Sequence, residues 1–264
     1  MNTFYFAYEG NKRQEYKIIK DYIPKSDTLK YFIEPFAGSA SISYLYSLDN
    51  PNAQIKYIIN DINKNLIKFY SNIQKEQLPK IINYINKNLN SNAFEKIKAK
   101  EKQNIKDWVY LNKIFIMHKG VNPFKYKHRK ISPIDISKYN DRINFDKKIQ
   151  LSSFDFTTIL NKYKNNTHAF IFLDPPYLES SNTTYTNYGK NINDSNEIID
   201  NTEMYIIIKD FLETAKCKVM LVINSNAIIK YIFNGFIKYE YDKTYSASKK
   251  KTKHLIITNY KIEK

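Results

Sequence analysis

Residues 169–180 read AFIFLDPPYLES. Ala169 to Leu173 are apolar without interruption, the pattern of a strand covered on both faces rather than one with a wet side. The run stops at an acid, two prolines and a tyrosine. Proline has no N–H to give to a ladder, so the strand ends there. A strand buried on both faces belongs to a sheet with helices on either side, and such sheets receive ligands at the carboxyl ends of their strands. Asp174 therefore stands at the mouth of a crevice.

The neighbouring segments agree with that sheet. LKYFIEPFAGSASISYLYSL contains a strand from Tyr31 to Ile33, a turn of small residues and a helix. AQIKYIINDINKNLIKFYSNI repeats the arrangement, with a strand ending at Asn60-Asp61 and a helix carrying Ile62, Leu66, Phe69 and Ile73 along one side. KKIQLSSFDF and CKVMLVINSN read as two more strands, and Thr202 as the cap of the helix between 179–200 and the second of these. FIKYEYDKTYSASKKKTKHLIITNYKI alternates on both sides of a lysine-rich tip, a terminal hairpin. Strands alternating with helices predict an α/β fold with a mostly parallel sheet. Residues 75–120 are polar and helical in period, with Trp108, Leu111, Phe115 and Ile116 as an apolar stripe, and 119–142 lose periodicity. The expected organisation is a catalytic domain from 1–74 and 145–264, interrupted by an inserted, mostly helical region at 75–144.

The net charge of +16 favours a polyanionic partner, nucleic acid above all. The single cysteine, Cys217, cannot form an internal disulfide, and no Cys/His cluster has zinc spacing. No apolar stretch is long enough to span a membrane and no signal peptide is visible. The expectation is an intracellular protein with no metal and no membrane segment.

Pro175 and Pro176 hold the backbone extended, so the Pro175 carbonyl is a fixed acceptor beside the Asp174 carboxylate. Two acceptors at a set separation match an exocyclic amino group with its two N–H donors. Tyr177 adds a flat face on which a base can stack. EPFAGSAS (34–41) offers a turn at Gly38 that lets a cofactor approach the backbone, although it is not a GxGxxG pyrophosphate loop. Asp61, at the end of the following strand, occupies the place where an acid holds ribose hydroxyls in dinucleotide-type folds. Near the start, FAYEGNKRQE (6–15) runs a short apolar segment into a turn and a helix.

These pieces, in this order, resemble the DNA adenine N6-methyltransferases of the Dam type. AYEGNK is similar to that family's N-terminal motif, FIEPFAGSASI to its S-adenosylmethionine (SAM) loop, NDIN to its ribose-binding acid and DPPY to its catalytic motif. The resemblance implies a Rossmann-like SAM-dependent methyltransferase sheet with a C-terminal antiparallel hairpin. It implies cofactor contacts from Tyr8, Lys12, Phe36, Gly38, Asp61, Asp174 and, by a looser match, Asp155. It makes Asp174, Pro175, Pro176 and Tyr177 the pocket of a flipped-out adenine in double-stranded DNA. Contacts to DNA are expected from Lys249, Lys250, Lys251 and Lys253 at the hairpin tip, and from Asn122 and Arg129 in the inserted region. Lysine supplies phosphate affinity, whereas guanine reading favours a bidentate arginine.

The resemblance does not extend to the recognition site. Members specific for GATC carry an Arg-Xaa-Asn element and a Phe-Asn-Xaa-Pro-Phe-Gly-like hairpin. Here HKGVNPFKYKHRK (118–130) matches only through Asn122, Pro123 and Phe124. The same amino-group chemistry also serves cytosine N4, adenine N6 in RNA or a protein glutamine, and a non-catalytic DNA-binding homologue would keep the fold.

Overall fold

The computed structural model describes residues 12–75, 78–87, 135–178, 201–244 and 251–262. They fall into two compact units, one within Lys64–Leu151 and the other formed by Lys12–Asn63 with Ser152–Lys264.

The second unit holds the sheet. Its strands are β1 (Tyr31–Glu34), β2 (Lys56–Asn60), β4 (Ala169–Leu173), β5 (Lys218–Asn224), β6 (Ile237–Thr244) and β7 (Lys251–Thr258), and β3 (Gln150–Ser152) spans the boundary between the units. The seven strands run in the order β3-β2-β1-β4-β5-β7-β6. β1 pairs in parallel with both β2 and β4, and β4 with β5. β7 lies antiparallel between β5 and β6. The chain leaves β1 for β2 on one side and later returns to β4 on the other. That reversal opens a crevice beyond the carboxyl ends of β1 and β4.

Every residue of β4 is buried, as its unbroken apolar run requires. One face carries Ile33, Ile171, Leu173, Val219, Leu221 and Ile223, packed with Leu160 of the helix Phe156–Tyr163 and with Tyr205 and Ile208 of the helix Asn201–Thr214. On the other, Phe32 meets Phe170 edge-on at 4.9 Å and Tyr46 at 5.1 Å. Each such side chain removed from water contributes about 1.5–3 kcal/mol. The acid of EPFAGSAS is buried: a Glu34 oxygen accepts the N–H of Ser43 at 2.7 Å, in the first turn of the helix Ser41–Asp49. A carboxylate there answers unpaired N–H groups and the positive helix end.

Within the first unit, Leu66, Phe69 and Ile73 are buried along the helix Lys64–Gln74. Ile62 precedes that helix and is 48% exposed, so it does not continue the stripe. Residues 136–146, within or just after the segment that reads as irregular, form a 3-10 turn, Ile136–Tyr139, and a helix, Asn140–Asp146. The signal is the carboxylate of Asp135, which accepts the N–H of Ser137 at 3.0 Å and starts the turn. Arg142 is buried over the rings of Tyr70 and Phe145, with its Nε on both carboxylate oxygens of Asp146. The helix Asn201–Thr214 begins one residue ahead of Thr202, so Thr202 is not its cap.

Candidate active site

One half of the crevice is organised by two side chains at the end of β2. Asn60 is fully buried. Its Nδ2 donates to the carbonyls of Pro35 (3.0 Å) and Phe154 (2.9 Å), and its Oδ1 accepts from the N–H of Phe154 (2.9 Å) and the hydroxyl of Ser152 (2.8 Å). One amide thus ties the turn after β1 to the segment after β3. Asp61 sits beside it, accepting the N–H of Gly38 on Oδ2 and that of Asn63 on Oδ1, both at 2.9 Å. Gly38 has φ +50°, a conformation that favours glycine. Burial raises the proton affinity of Asp61 and the two N–H donors oppose it, leaving its pKa above the usual carboxylate value. Phe36 packs on Phe156, with ring centres 5.0 Å apart, while Ile62 and Phe154 lie exposed at the rim. Asp155 caps the helix Phe156–Tyr163 by accepting the N–H of Thr157 at 2.9 Å.

The other half is the tetrapeptide after β4. The Tyr205 hydroxyl donates to the Pro176 carbonyl at 2.6 Å, and Asn201 Nδ2 to that of Tyr177 at 3.3 Å. The Pro175 carbonyl has no hydrogen-bond partner among the described residues. Lys12, buried at the start of the described chain, places Nζ 2.5 Å from Asp174 Oδ1 and 3.1 Å from the Tyr177 hydroxyl. The Asp174 side chain keeps 21% of its surface exposed, and no hydrogen bond among the described residues falls on Oδ2. Burial lifts the pKa of Asp174, the Lys12 ammonium pulls it back, and the balance is upward. A carboxylate oxygen and a backbone carbonyl of consecutive residues therefore receive no donor from the described residues.

Behind the tetrapeptide lies a cluster that no motif in the sequence marks. Glu15 is buried and receives the Tyr241 hydroxyl at 2.6 Å, the ammonium of Lys243, and His254 Nδ1 at 2.7 Å. Burial alone would raise the Glu15 pKa, but the His254 hydrogen bond, the nearby Lys12 charge and the other donors hold it at about 2. The His254 ring meets Tyr177 edge-on at 5.7 Å. A readable signal exists for His254 only: β7 alternates exposed Lys251 and Lys253 with inward positions, and His254 takes an inward one. Cys217 is buried just before β5, and burial pushes its thiol up to about 12.

The sheet unit thus holds Phe36, Gly38, Asp61, Asp155 and Asp174-Pro175-Pro176-Tyr177 at strand ends or in the adjoining turns, and Lys12, whose ammonium reaches Asp174, in a 3-10 turn, Lys12–Gln14. Lys251 and Lys253 are exposed on β7. Tyr8, Asn122, Arg129, Lys249 and Lys250 lie outside the described residues, as do the loop 179–200 and the stripe around Trp108. Among the described residues no His, Cys, Asp and Glu side chains group as a metal site would require, and no helix is long and apolar enough to cross a membrane.

The family model for D12 class N6 adenine-specific DNA methyltransferases matches residues 8–247. The type II methyltransferase M.CviBI of Paramecium bursaria Chlorella virus NC1A is 26% identical over 275 residues, covering 96% of this chain and 98% of that protein. Among solved structures, a human methyltransferase 10 domain containing protein aligns at TM-score 0.43 and 10% identity, over 94% of this chain and 81% of that one. The N-terminal domain of human METTL16 in complex with SAH aligns at TM-score 0.38 and 10% identity, over 93% of this chain and 67% of that one.

Proposed function

The chain belongs to the D12 class of N6 adenine-specific DNA methyltransferases, and on that premise we propose how its residues share the transfer of a methyl group from SAM to N6 of adenine in DNA. Bound SAM supplies an electrophilic methyl on a sulfonium centre. The crevice suits such a cofactor: a positive-φ glycine allows close approach to the turn after β1, and a buried carboxylate stands at the end of β2. Each Asp61 oxygen accepts one N–H, and a carboxylate has about four lone-pair sites, so capacity for a ribose diol remains. Phe36 and Gly38 line the cofactor, Asp155 lies near its base with Oδ1 already engaged by Thr157, and Tyr8 and Lys12 approach from the N-terminal segment.

The target nitrogen is a poor nucleophile because its lone pair is delocalised into the ring. Hydrogen bonds from the amino group to Asp174 Oδ2 and the Pro175 carbonyl localise density on nitrogen as it becomes tetrahedral. Acceptors fixed where positive charge develops give preorganised electrostatic stabilisation. Flipping the adenine out of a duplex costs a few kcal/mol, and stacking on Tyr177 returns about 1–3 kcal/mol. No enzyme nucleophile is required, in keeping with a thiol as inert as that of Cys217. Double-stranded DNA is the substrate form, approached by Lys249, Lys250, Lys251 and Lys253 and by Asn122 and Arg129. The inserted region 75–144 selects the site within an intracellular, site-specific enzyme.

The observation that carries this reading is a pair of acceptors, Asp174 Oδ2 and the Pro175 carbonyl, to which no described residue donates, at the topological switch of the sheet. Expression in a methylation-free host, followed by sequencing that detects N6-methyladenine, tests it. The wild-type protein marks adenines within a defined site and a folded Asp174→Ala protein marks none; methylation by that variant at the wild-type rate would refute the role of Asp174.

A further inference from the structure

We propose that Glu15 and His254 are positioning residues for methyl transfer, setting the plane of Tyr177 and the place of Lys12 through a closed circuit of contacts. The inference rests on the reading of Tyr177 as the stacking surface for the target base.

The circuit can be followed atom by atom. His254 is fully buried in β7, facing Tyr241 of β6 and Asn224 of β5 in the sheet register. Its ring edge meets Tyr177, and its Nδ1 meets Glu15 Oε2 at 2.7 Å. The Glu15 N–H donates to the carbonyl of Lys12 at 2.9 Å, closing the turn that carries Lys12. Lys12 Nζ returns to the Tyr177 hydroxyl at 3.1 Å and to Asp174. Tyr177 is therefore held at its hydroxyl by one branch and at its ring by the other, and both branches start from Glu15, one at its backbone N–H and one at its carboxylate.

A mere anchor for the hairpin does not need this arrangement. Tyr241 and Lys243 already fasten β6 to Glu15. His254 adds a polar ring to a strand that is otherwise apolar from Leu255 to Ile257, a costly placement unless the ring is hydrogen-bonded. Ring orientation matters to a base that must present its amino group to two fixed acceptors, and a misplacement of about 1 Å can cost about a hundredfold in rate.

The test uses the full-length protein, unmethylated duplex DNA and tritiated SAM. His254→Phe keeps a ring against Tyr177 and removes the bond to Glu15, whereas His254→Asn keeps a polar group and removes the ring. Both are expected to lower the single-turnover rate at saturating SAM and DNA by at least about tenfold, a larger factor than any loss of SAM affinity read by calorimetry. Glu15→Gln, which keeps the shape of the side chain and removes the charge that His254 bonds, gives a smaller fall in the same direction and decides the matter if the histidine variants do not fold. Wild-type rates in folded variants, or a loss of rate matched by an equal loss of SAM binding, would overturn the proposal. If wild-type protein transfers no methyl to DNA, the underlying reading fails instead. If wild type is active, Asp174→Ala inactive and these variants active, only the circuit fails.

Discussion

Replacing Glu15 by glutamine changes the charge of one buried group and little else, so its effect on stability should depend on pH in a defined way. Glu15 has its pKa drawn from 4.5 to about 2. Each tenfold change in proton affinity is worth about 1.4 kcal/mol, so the ionised carboxylate contributes about 3 kcal/mol of folding free energy at neutral pH. The sign follows from the direction: a depressed carboxyl stabilises above its unfolded value and loses that contribution as pH falls through its folded one. Between pH 5 and pH 3, where histidine and lysine stay protonated in the unfolded chain, about 2 kcal/mol of it disappears. Urea titrations followed by far-ultraviolet circular dichroism, at fixed ionic strength over that window, measure the gap between wild type and Glu15→Gln. Taking the difference removes the titration of the other carboxyls. The gap should shrink toward acid by about 2 kcal/mol. A gap that stays constant would refute the view that the donors from His254, Lys243 and Tyr241 hold a charged Glu15.

Two further expectations concern the reaction. Because burial lifts the pKa of Asp174, the acid limb of kcat/KM should lie above 3.8, with activity falling as pH drops through that limb and Asp174 takes up a proton; a limb at or below 3.8 would contradict the placement. Cys217, buried with its thiol near 12, should resist iodoacetamide in the native protein, and Cys217→Ala should keep wild-type methylation, measured by tritium incorporation.

The sheet was readable because burial on two faces leaves a mark that does not depend on context. The apolar runs at 31–33, 169–173 and 219–223 could hardly be anything but inner strands, and the prolines of DPPY fixed where one of them stops. The helix boundary at Ile62 was less legible, since an apolar residue at a rim and one in a stripe look alike in one dimension. The turn and helix at 136–146 depend on a single side-chain acceptor, Asp135, which periodicity does not weigh. Asn60 was visible only as the neighbour of Asp61, although it bonds to two separate segments, at Pro35 and at Ser152 to Phe154. The Glu15–His254 pair was beyond reach: its members are 239 residues apart, and only the insertion of β7 between β5 and β6 brings them together.

That insertion also orders events in time. β7 leaves the ribosome after β5 and β6, yet it is the strand that lies between them. At about 5–20 residues per second, roughly 10–50 s separate the synthesis of Glu15 from that of His254. From the synthesis of β5 until β7 is in place, the edge of β5 is open to any passing strand, a hazard for aggregation. Tyr177 meanwhile lacks the partner at its ring edge. A nascent chain that has already made Asp174 to Tyr177 therefore still lacks one of the contacts that hold Tyr177, and that contact arrives only when one late strand slides into place.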